Sequence, residues 1–427
     1  MNRPVIAFFP EASFGSALNC VGIAQQLQRQ GAVPVFLCHQ GFTGVFDEYG
    51  FKEYQLPASP KAASQRTEET WQAFVTAHLE HFSQDPLTQL ETYVRPTWEA
   101  IVDTAIQAEK GLETLIKRIK PDAIVLDNVI MFPAIANAGV PWIRVVSCAE
   151  TEIPDPNVPP YLSGMAVDDP SRAGFEAAYL ECTSAAHRRY NAFRTRRGLP
   201  PLPSGQFLEA SPYLNLLLAP KAIRHERVHP LPEDLFVFLE GCVREEAQFD
   251  PPPLPVNDGP IIYLSFGSLG AIDTDLIGRM IEVFSDFPAR FFVNVGGFLE
   301  SYQRVPDNVY LGSWFPQPSI VAQADLFIHH GGNNSYCEAL YYGVPSLIMP
   351  YCWDGHDNGL RAAQTGTGIH MQRDSWNPQE LCDTMTTLLG DKSLHQRMGR
   401  ISGHMTQASG ALLAAKSILC ALGQCSP

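Results

Sequence analysis

The chain has 427 residues, 45% of them hydrophobic and 18% charged, a globular composition with enough length for two or three domains. Thirty basic and 45 acidic residues give a net charge of −15, which argues against a protein that binds a nucleic-acid backbone or an anionic membrane surface. The ten cysteines occur without a CxxC pair, which excludes a zinc ribbon or CxxC redox motif, and no uncharged apolar stretch of about 18 residues is present. We therefore expect a soluble cytoplasmic protein with free thiols that acts on small molecules.

Apolar, β-rich runs alternate with helical patterns through the first third of the chain. The runs predicted to be buried strands are residues 5–9, 33–39, 123–127 and 143–147. A helix is predicted over residues 16–30, between the first two runs. Continuous apolar strands separated by helices are typical of a parallel sheet covered on both faces, so we expect a doubly wound α/β domain.

Two long excursions leave this pattern, a helical one over residues 62–119 and an irregular one, rich in proline and aromatic residues, over residues 153–203. Segments that extend beyond a sheet often form ligand sites. Their aromatic side chains either pack in the core or line an apolar ligand pocket. The candidates for such a pocket are Trp71, Phe74, Phe82 and Tyr161.

A proline-rich segment over residues 244–258 divides the chain, because its proline density favours an extended linker over a helix or a central strand. A second α/β pattern follows. Its predicted elements are strands at residues 261–266, 290–295, 309–311, 326–329 and 346–349, and helices at residues 275–287 and 411–422. We predict two doubly wound parallel-sheet domains, residues 1–243 and 259–405, that face each other across a cleft. Residues 406–427 are expected to form a helix that packs on the surface or back across the first domain.

A glycine-containing loop directly follows the predicted strand at residues 261–266. Gly267 and Gly270 allow a sharp turn with exposed amides, and Ser268 adds a hydroxyl, so the loop is suited to hold a phosphate. An ordinary tight turn between a strand and a helix explains the same residues equally well.

A second loop, His330-Gly331-Gly332, lies between a strand and a helix that is expected to begin at Asn334 or Ser335. A helix N-terminus has unpaired amides and the positive end of the helix dipole, so it binds anions, and an imidazole beside it adds a hydrogen bond. The residues Ser335 and Glu338 also have the spacing of a capping box, which would need no ligand. Both interpretations stay open on the residues alone.

Six short elements occur in order between residues 309 and 368. They are Trp314-Phe315-Pro316-Gln317, His330-Gly331-Gly332-Asn333-Asn334-Ser335, Glu338, Gly343-Val344-Pro345, Pro350-Tyr351-Cys352-Trp353-Asp354 and Asn358. Their order and spacing resemble the nucleotide-sugar signature of the UDP-glycosyltransferase family, which includes plant secondary-product and bacterial macrolide and glycopeptide transferases. The resemblance implies the GT-B architecture, two Rossmann-like domains with the substrates between them.

The resemblance also implies how the donor is held. Trp314 would stack on the nucleobase, Gln317 would lie beside the base and the ribose, and Glu338 would accept hydrogen bonds from the ribose hydroxyls. The residues expected around the diphosphate are Ser268, His330, Gly332, Asn334 and Ser335.

At the sugar end, Asp354 would accept hydrogen bonds from hydroxyls of the transferred sugar. The family usually has Gln or His after this aspartate, whereas this chain has Gly355. One sugar contact is therefore expected to be missing, unless the adjacent His356 supplies it.

The loop after the first strand departs from the family at the position of the catalytic base. Most members have a histidine that deprotonates the acceptor hydroxyl, and Ser16 stands at that position here. A serine hydroxyl is no general base near neutral pH, so Ser16 would position the acceptor, relay a proton or only cap a helix. Asp127 matches the aspartate that normally orients the histidine and is the predicted base, with Glu11 the next candidate.

The resulting prediction is an inverting glycosyltransferase that moves a hexose from a UDP- or dTDP-sugar to a hydroxyl of a small, apolar, natural-product-like acceptor. No metal or other cofactor is expected, because the Asp-x-Asp element of metal-dependent transferases is absent from the expected place. Neither a nucleic acid nor a membrane is expected as a partner, and no oligomeric state is predicted. The alternatives are an inactive nucleotide-sugar-binding homologue that serves as a partner or sensor, and, less favoured, a nucleotide-sugar epimerase.

Overall fold

The computed structural model describes residues 3–11, 13–57, 73, 76–255 and 259–423. Within them the chain forms two parallel β-sheets, one on each side of the proline-rich segment. Nearly all the central strands are buried along their whole length, as continuous apolar runs require. The prediction of two doubly wound α/β domains is confirmed.

The first sheet contains seven strands in the described part of the chain. They are β1 (Val5–Pro10), β2 (Val33–Cys38), β3 (Lys52–Gln55), β4 (Ala123–Asp127), β5 (Trp142–Val146), β6 (Leu214–Leu217) and β7 (Phe236–Phe238). Their spatial order is β3-β2-β1-β4-β5-β6-β7, and every neighbouring pair is parallel. Side chains of β1 alternate between two cores, since Ile6 and Phe8 pack on one face of the sheet and Ala7 and Phe9 on the other.

The second sheet contains six strands among the described residues. They are β8 (Ile261–Ser265), β9 (Arg290–Asn294), β10 (Val309–Gly312), β11 (Leu326–His329), β12 (Ser346–Ile348) and β13 (Gly368–His370). Their order is β10-β9-β8-β11-β12-β13, again all parallel. In each domain the first three strands lie side by side in one direction, and the fourth is added on the other side of the first. This topological switch point lies between β1 and β4 in the first sheet and between β8 and β11 in the second.

Helices cover both sheets. The described helices are α1 (Phe14–Arg29), α2 (Pro86–Gln89), α3 (Arg95–Ile119), α4 (Pro133–Ala136), α5 (Arg172–Arg196), α6 (Gly267–Gly270), α7 (Thr274–Phe284), α8 (Gln317–Val321), α9 (Asn333–Tyr342), α10 (Gly355–Thr365), α11 (Pro378–Gly390), α12 (Lys392–Ala408) and α13 (Gly410–Ala421). The last helix, α13, packs against α1, β6 and β7 of the first domain. None of the helices in the described ranges is long and apolar enough to cross a membrane.

The helix α5 corrects the expectation of irregular structure over residues 153–203. Its buried face includes Thr183, His187 and Arg194. These polar residues interrupt the apolar stripe from which a helix is predicted. Nη1 of Arg194 pairs there with the carboxylate of Glu209, 2.7 Å away. The expectation of free thiols holds for eight cysteines of the described residues, whereas Cys420 is disulfide-bonded.

Polar contacts join the two domains close to the switch points. The side-chain amide of Asn333, at the start of α9, donates to the main-chain oxygens of Ser147 (3.0 Å), Cys148 (3.2 Å) and Leu218 (2.8 Å). These oxygens lie at the carboxyl ends of β5 and β6. The N-terminus of α9 is therefore docked against the edge of the first sheet where ligands are expected.

Candidate active site

The carboxyl ends of the strands at the two switch points carry the candidate functional residues. Ligands of open parallel sheets bind where adjacent loops diverge to opposite faces, because a crevice opens there. Glu11 follows β1 and Asp127 ends β4, with Pro10 and Asp127 paired in register. In the second domain, Gly267 follows β8 and His330 follows β11. The strand order thus brings together loops that are more than 100 residues apart in the first domain.

Asp127 is 3% exposed, and its carboxylate is held by three side chains of the first domain. Oδ1 accepts a hydrogen bond from the Ser147 hydroxyl (2.7 Å), and Oδ2 accepts from the Asn19 amide (3.3 Å) and the Cys20 thiol (3.7 Å). Burial raises the pKa of Asp127 to about 6, although the hydrogen bonds from Ser147, Asn19, Ser16 and Cys20 lower it. A carboxylate with a pKa near 6 is ionised at neutral pH and is a stronger base than an exposed aspartate.

Ser16 lies directly beside Asp127. Its hydroxyl donates to the main-chain oxygen of Asp127 (2.9 Å), the same oxygen that accepts from the Glu11 amide (2.7 Å). The helix α1 begins at Phe14 and its N-cap is Ser13, so Ser16 lies inside the first turn and is not a helix cap. The structure therefore ties the loop after β1 to the end of β4 through one carbonyl group.

Three further carboxyl groups lie near Asp127, and each is partly or largely buried. Burial and the nearby Asp127 and Asp354 raise the pKa of Glu11 to about 7, and burial and Asp357 raise that of Asp354 to about 7. Burial also raises the pKa of Glu152 to about 8, and the charges of Glu11, Asp127 and Asp354 add to it while Arg144 opposes it. Perturbed carboxyl groups that share a cleft are typical of sites that move protons.

The loop between β11 and α9, where the sequence predicts an anion site, is packed around His330. Gly267 has a φ of +72°, and a Cβ there would lie 2.9 Å from Cε1 of His330, while a Cβ on Gly332 would lie 2.6 Å from Nε2. Both glycines are required because the imidazole packs against their backbones. Burial, followed by the charge of Arg373, lowers the pKa of His330 to about 4, so the ring is neutral in the free protein. Its Nδ1 atom is buried without a hydrogen-bond partner.

Next to His330, α9 begins at Asn333 with Gly332 as its N-cap, and no side chain caps it. The capping-box interpretation of Ser335 and Glu338 is therefore wrong. The hydroxyl of Ser335 instead accepts a hydrogen bond from the Gln317 amide (3.1 Å). The first turn of a helix offers its amides to an anion, and the amide of Asn333 already donates to the carboxylate of Asp354 at 3.3 Å. The side chain of Ser268 lies outside what the structure describes.

Glu338 is 1% exposed and forms a buried ion pair with Arg244 of the linker, Oε1 to Nη1, at 2.8 Å. The same Oε1 accepts from the Asn334 amide (3.2 Å), and Oε2 accepts from the Gln317 amide (2.7 Å). The residues that the family resemblance placed at the ribose are thus in contact with one another, and the linker supplies an additional cation.

Trp314 is 52% exposed, a large exposed area for an indole and one that a stacked base would cover. Its nearest ring is Phe14 of the first domain, with ring centroids 5.7 Å apart and planes inclined by 53°. Trp314 follows β10, Gln317 begins α8 and Glu338 lies within α9, where Gln317 and Glu338 are in direct contact.

The surrounding backbone explains why this chain has glycine at position 355. A Cβ at this position would lie 2.5 Å from the main-chain oxygen of His330, so Gln or His cannot be accommodated with this backbone. The neighbouring His356 does not replace the lost contact, because its Nε2 is hydrogen bonded to Oε1 of Gln89 at 2.9 Å. Asp354 itself accepts from the amide of Asn333 at 3.3 Å, next to the N-terminus of α9.

Comparison with known proteins agrees with this arrangement. Residues 291–410 match the family model of the erythromycin biosynthesis protein CIII-like C-terminal domain. The chain is 25% identical to the NDP-glycosyltransferase YjiC of Bacillus subtilis over 313 residues, 72% of this chain and 74% of that protein. It is also 25% identical to the oleandomycin glycosyltransferase of Streptomyces antibioticus over 246 residues, 57% of this chain and 56% of that enzyme. The chain is therefore similar to glycosyltransferases of the UDP-glycosyltransferase type.

Solved structures share the fold over the full length. The glycosyltransferase of kitacinnamycin covers 99% of this chain, and the chain covers 100% of it, with a TM-score of 0.71 and 17% identity. The spinosyn rhamnosyltransferase SpnG, solved with thymidine diphosphate, covers 98% of this chain, and the chain covers 100% of it, with a TM-score of 0.64 and 15% identity. These likenesses confirm the GT-B fold, and the named relatives confirm the prediction of a glycosyltransferase enzyme.

The predicted acceptor residues of this glycosyltransferase have different surroundings. Trp71 and Phe74 lie outside the described residues. Phe82 is buried and packs on Tyr351 of the second domain, with ring centroids 4.7 Å apart, which agrees with the packing interpretation. Tyr161 packs edge-on against Trp353 at 6.1 Å. Its buried hydroxyl has no hydrogen-bond partner, and burial, followed by Cys148, Glu152 and Asp354, raises its pKa well above the ordinary value. Tyr161 therefore lies within electrostatic range of Glu152 and Asp354.

Sequence reasoning missed Glu152 and Arg244. Glu152 follows β5, the strand beside β4, and this position at the carboxyl end of a central strand was a usable signal. Arg244 lies in the linker, 94 residues from Glu338, and no local pattern indicates that they pair.

Proposed function

We propose that this protein is an inverting glycosyltransferase that moves a hexose from a UDP- or dTDP-sugar to a hydroxyl of a small, apolar, natural-product-like acceptor. The observation that carries the proposal is the placement of two complementary half-sites across the crevice. Ionisable carboxyl groups end the first domain's central strands, and a neutral imidazole with a helix N-terminus ends those of the second.

The second domain supplies the donor site in this proposal. Trp314 stacks on the nucleobase, and Gln317 and Glu338 contact the ribose. His330, Gly332 and the first turn of α9, with Asn334 and Ser335, hold the diphosphate. Ser268 is assigned to the same group by its position in the loop. Asp354 receives the hydroxyls of the sugar.

Transfer requires the acceptor oxygen to lose its proton while it attacks the anomeric carbon from the face opposite the leaving group. Asp127 takes that proton, directly or through the Ser16 hydroxyl beside it, and the new C–O bond forms as the bond to the diphosphate oxygen breaks. The raised pKa of Asp127, about 6, supports this role, because it makes the carboxylate more basic while leaving it ionised at neutral pH. Glu11 is the alternative base.

The departing diphosphate gains negative charge, and the proposed site offsets that charge without a metal ion. The amides of α9 and the positive end of its dipole point at the β-phosphate, and His330 donates one hydrogen bond as a neutral ring. Among the described residues, no group of three or more His, Cys, Asp or Glu side chains is placed to hold a metal.

The acceptor class follows from the relatives and from the aromatic side chains near the cleft. The oleandomycin and spinosyn enzymes act, by name, on natural products, and Tyr161 and Trp353 offer an apolar wall beside Asp354. A flat or apolar aglycone with a free hydroxyl is the proposed acceptor.

The test is incubation with UDP-glucose or dTDP-glucose and a panel of hydroxylated macrolides, phenols and saccharides. Mass spectrometry should detect a hexose adduct on an apolar member, and NMR should show that the anomeric configuration is inverted. Interconversion of free nucleotide-sugar without transfer would point to an epimerase. Tight nucleotide binding without hydrolysis or transfer would instead point to a binding homologue.

A further inference from the structure

A guanidinium group with unused hydrogen-bond donors is buried behind the loop that follows β8. Arg373 comes shortly after β13 and is 3% exposed. Its Nη2 donates to the carboxylate of Asp273 at 2.9 Å, whereas Nε and Nη1 are buried without a hydrogen-bond partner. A buried cation whose donors are only partly used is costly to the fold, so its presence indicates a role beyond packing.

Two aromatic rings connect this guanidinium to the loops at the start of α6 and α9. Cζ of Arg373 lies 4.7 Å from the ring centroid of Phe266 and 5.0 Å from that of Tyr351. The Tyr351 ring in turn stacks on the imidazole of His330, with centroids 5.0 Å apart and planes inclined by 25°. The guanidinium carbon is therefore no further from the centroid of the imidazole than the sum of these two 5.0 Å distances.

The rings are fixed in place. The hydroxyl of Tyr351 donates to the main-chain oxygen of Phe266 at 3.1 Å. A Cβ on Gly270 would lie 2.5 Å from Cβ of Phe266 and 2.9 Å from Cε1 of Tyr351, so both rings pack closely on this glycine. The indole of Trp376 donates to the main-chain oxygen of Arg373 at 2.8 Å and holds the segment that carries the guanidinium.

The charge of Arg373 reaches His330, since it lowers the pKa of this histidine, second to burial. Among the described residues, His329 and Tyr351 are the other ionisable side chains that interact with the imidazole. Burial, followed by His330, lowers the pKa of His329, and burial raises the pKa of Tyr351, so both are uncharged at neutral pH. The carboxylate of Asp273, which pairs with Arg373, is partly exposed. A neutral imidazole carries no charge, so Arg373 supplies the full positive charge here.

We propose that Arg373 is a positioning residue for the leaving group, whose buried charge acts across the Tyr351 and His330 rings and stabilises the diphosphate without touching it. The charge offsets the negative charge that the diphosphate gains as its bond to the sugar breaks, and so adds to the effect of the α9 amides. Because the guanidinium is buried, solvent screens this interaction less than one at the surface. The inference rests on the proposed function, since it concerns the leaving group of the same donor.

The test compares UDP with UMP, which lacks the β-phosphate, by calorimetry on the unmodified protein and on Arg373→Met. Loss of a unit charge at this distance in a buried site should lower the preference for UDP over UMP by about five- to twentyfold. An unchanged preference in the folded variant overturns the inference and leaves the proposed function intact. If the unmodified protein binds neither nucleotide, the proposed function itself fails.

Two further variants separate charge from packing. Arg373→Lys keeps the charge without the planar group, so its preference for UDP should stay within about threefold of that of the unmodified protein. A loss as large as that of Arg373→Met would show that the stacking matters and the charge does not, which overturns the inference. Arg279→Met is the matched control, because Arg279 is half exposed, lies 5.1 Å from the Trp376 ring centroid and pairs with Asp374. Its preference should equal that of the unmodified protein.

Asp273→Asn tests the sign of the effect, and it keeps the inference testable if Arg373→Met does not fold. Asparagine still caps α7, where Oδ1 of Asp273 accepts from the Leu276 amide at 3.1 Å. Removing the carboxylate leaves the charge of Arg373 uncompensated, so the preference for UDP over UMP should rise by about two- to threefold. A purely structural role for the ion pair predicts no rise. An unchanged or lower preference therefore overturns the inference.

Discussion

The substitution Asp127→Asn removes the proposed base while preserving the hydrogen bonds around it. The asparagine oxygen can still accept from the Ser147 hydroxyl, which lies 2.7 Å from Oδ1. The new NH₂ group faces the amide of Asn19, whose own Oδ1 is buried without a partner. Turning the Asn19 amide by 180° therefore supplies an acceptor, and the fold should tolerate the change.

The expected effect follows from the role of a general base, whose loss slows turnover by roughly 10²- to 10⁴-fold, or about 3–5 kcal/mol of activation free energy. Nucleotide affinity should not change, because Asp127 lies in the first domain. Steady-state kinetics with a responsive acceptor, together with calorimetry of UDP binding, separates the two quantities. Turnover within threefold of the unmodified enzyme would show that the proton goes elsewhere.

The pH profile distinguishes Asp127 from Glu11. A base must be deprotonated, so kcat/KM should rise with pH through a pKa near 6 for Asp127, and near 7 if Glu11 is the base. Ser147→Ala removes a hydrogen bond that lowers the pKa of Asp127, so it should move the rising limb to higher pH. A limb that stays in place in this variant would contradict the assignment to Asp127.

Three further predictions concern binding and stability. Trp314→Ala should weaken UDP binding by roughly 1–3 kcal/mol in calorimetry without added magnesium, because the base loses its stacking surface; Tyr213→Ala, an exposed aromatic of the first domain, is the control. Glu152→Gln should raise the melting temperature above that of the unmodified protein at pH 8–9, with little difference at pH 5. The pKa of Glu152 is raised from 4.5 to about 8 in the folded protein. The stability that its protonated form contributes is therefore lost as the pH rises from about 4.5 through about 8. Asp357→Ala should lower the free energy of unfolding in urea by about 2–5 kcal/mol, because the amides of Leu162 and Gly164 lose their acceptor.

The sequence predicted the parts of this fold that depend on continuous apolar runs. The central strands β1, β4, β8 and β11 are found where such runs occur, within a residue or two at each end. The edge strand β3 was missed, since Lys52–Gln55 is polar and half exposed. An edge strand needs no apolar run on both faces, so its sequence resembles that of a loop.

The site could be predicted only where its residues are local in the chain. His330, the glycines beside it and the start of α9 form one segment, so the sequence could predict that a helix begins directly after a strand and a glycine loop there. The pairing of Arg244 with Glu338 depends on how the linker packs against α9, and the clustering of Glu152 with Glu11 depends on the strand order of the first sheet. Contacts of this kind join residues that are far apart in the sequence, so local sequence patterns do not predict them.

The contact between Phe14 and Trp314 joins the loop after β1 to the side chain that is proposed to stack on the nucleobase. Phe14 begins the helix that carries Ser16, and its ring lies 5.7 Å from the indole, whereas a base inserted between two rings needs about 7 Å. A base on that face of Trp314 would therefore displace Phe14, and with it the loop that carries Ser16 and is proposed to contact the acceptor. Linkage of this kind is reciprocal: whatever factor the nucleotide contributes to acceptor affinity, the acceptor contributes equally to nucleotide affinity. The contact between Phe14 and Trp314 would thus contribute a coupling free energy between nucleotide binding and acceptor binding.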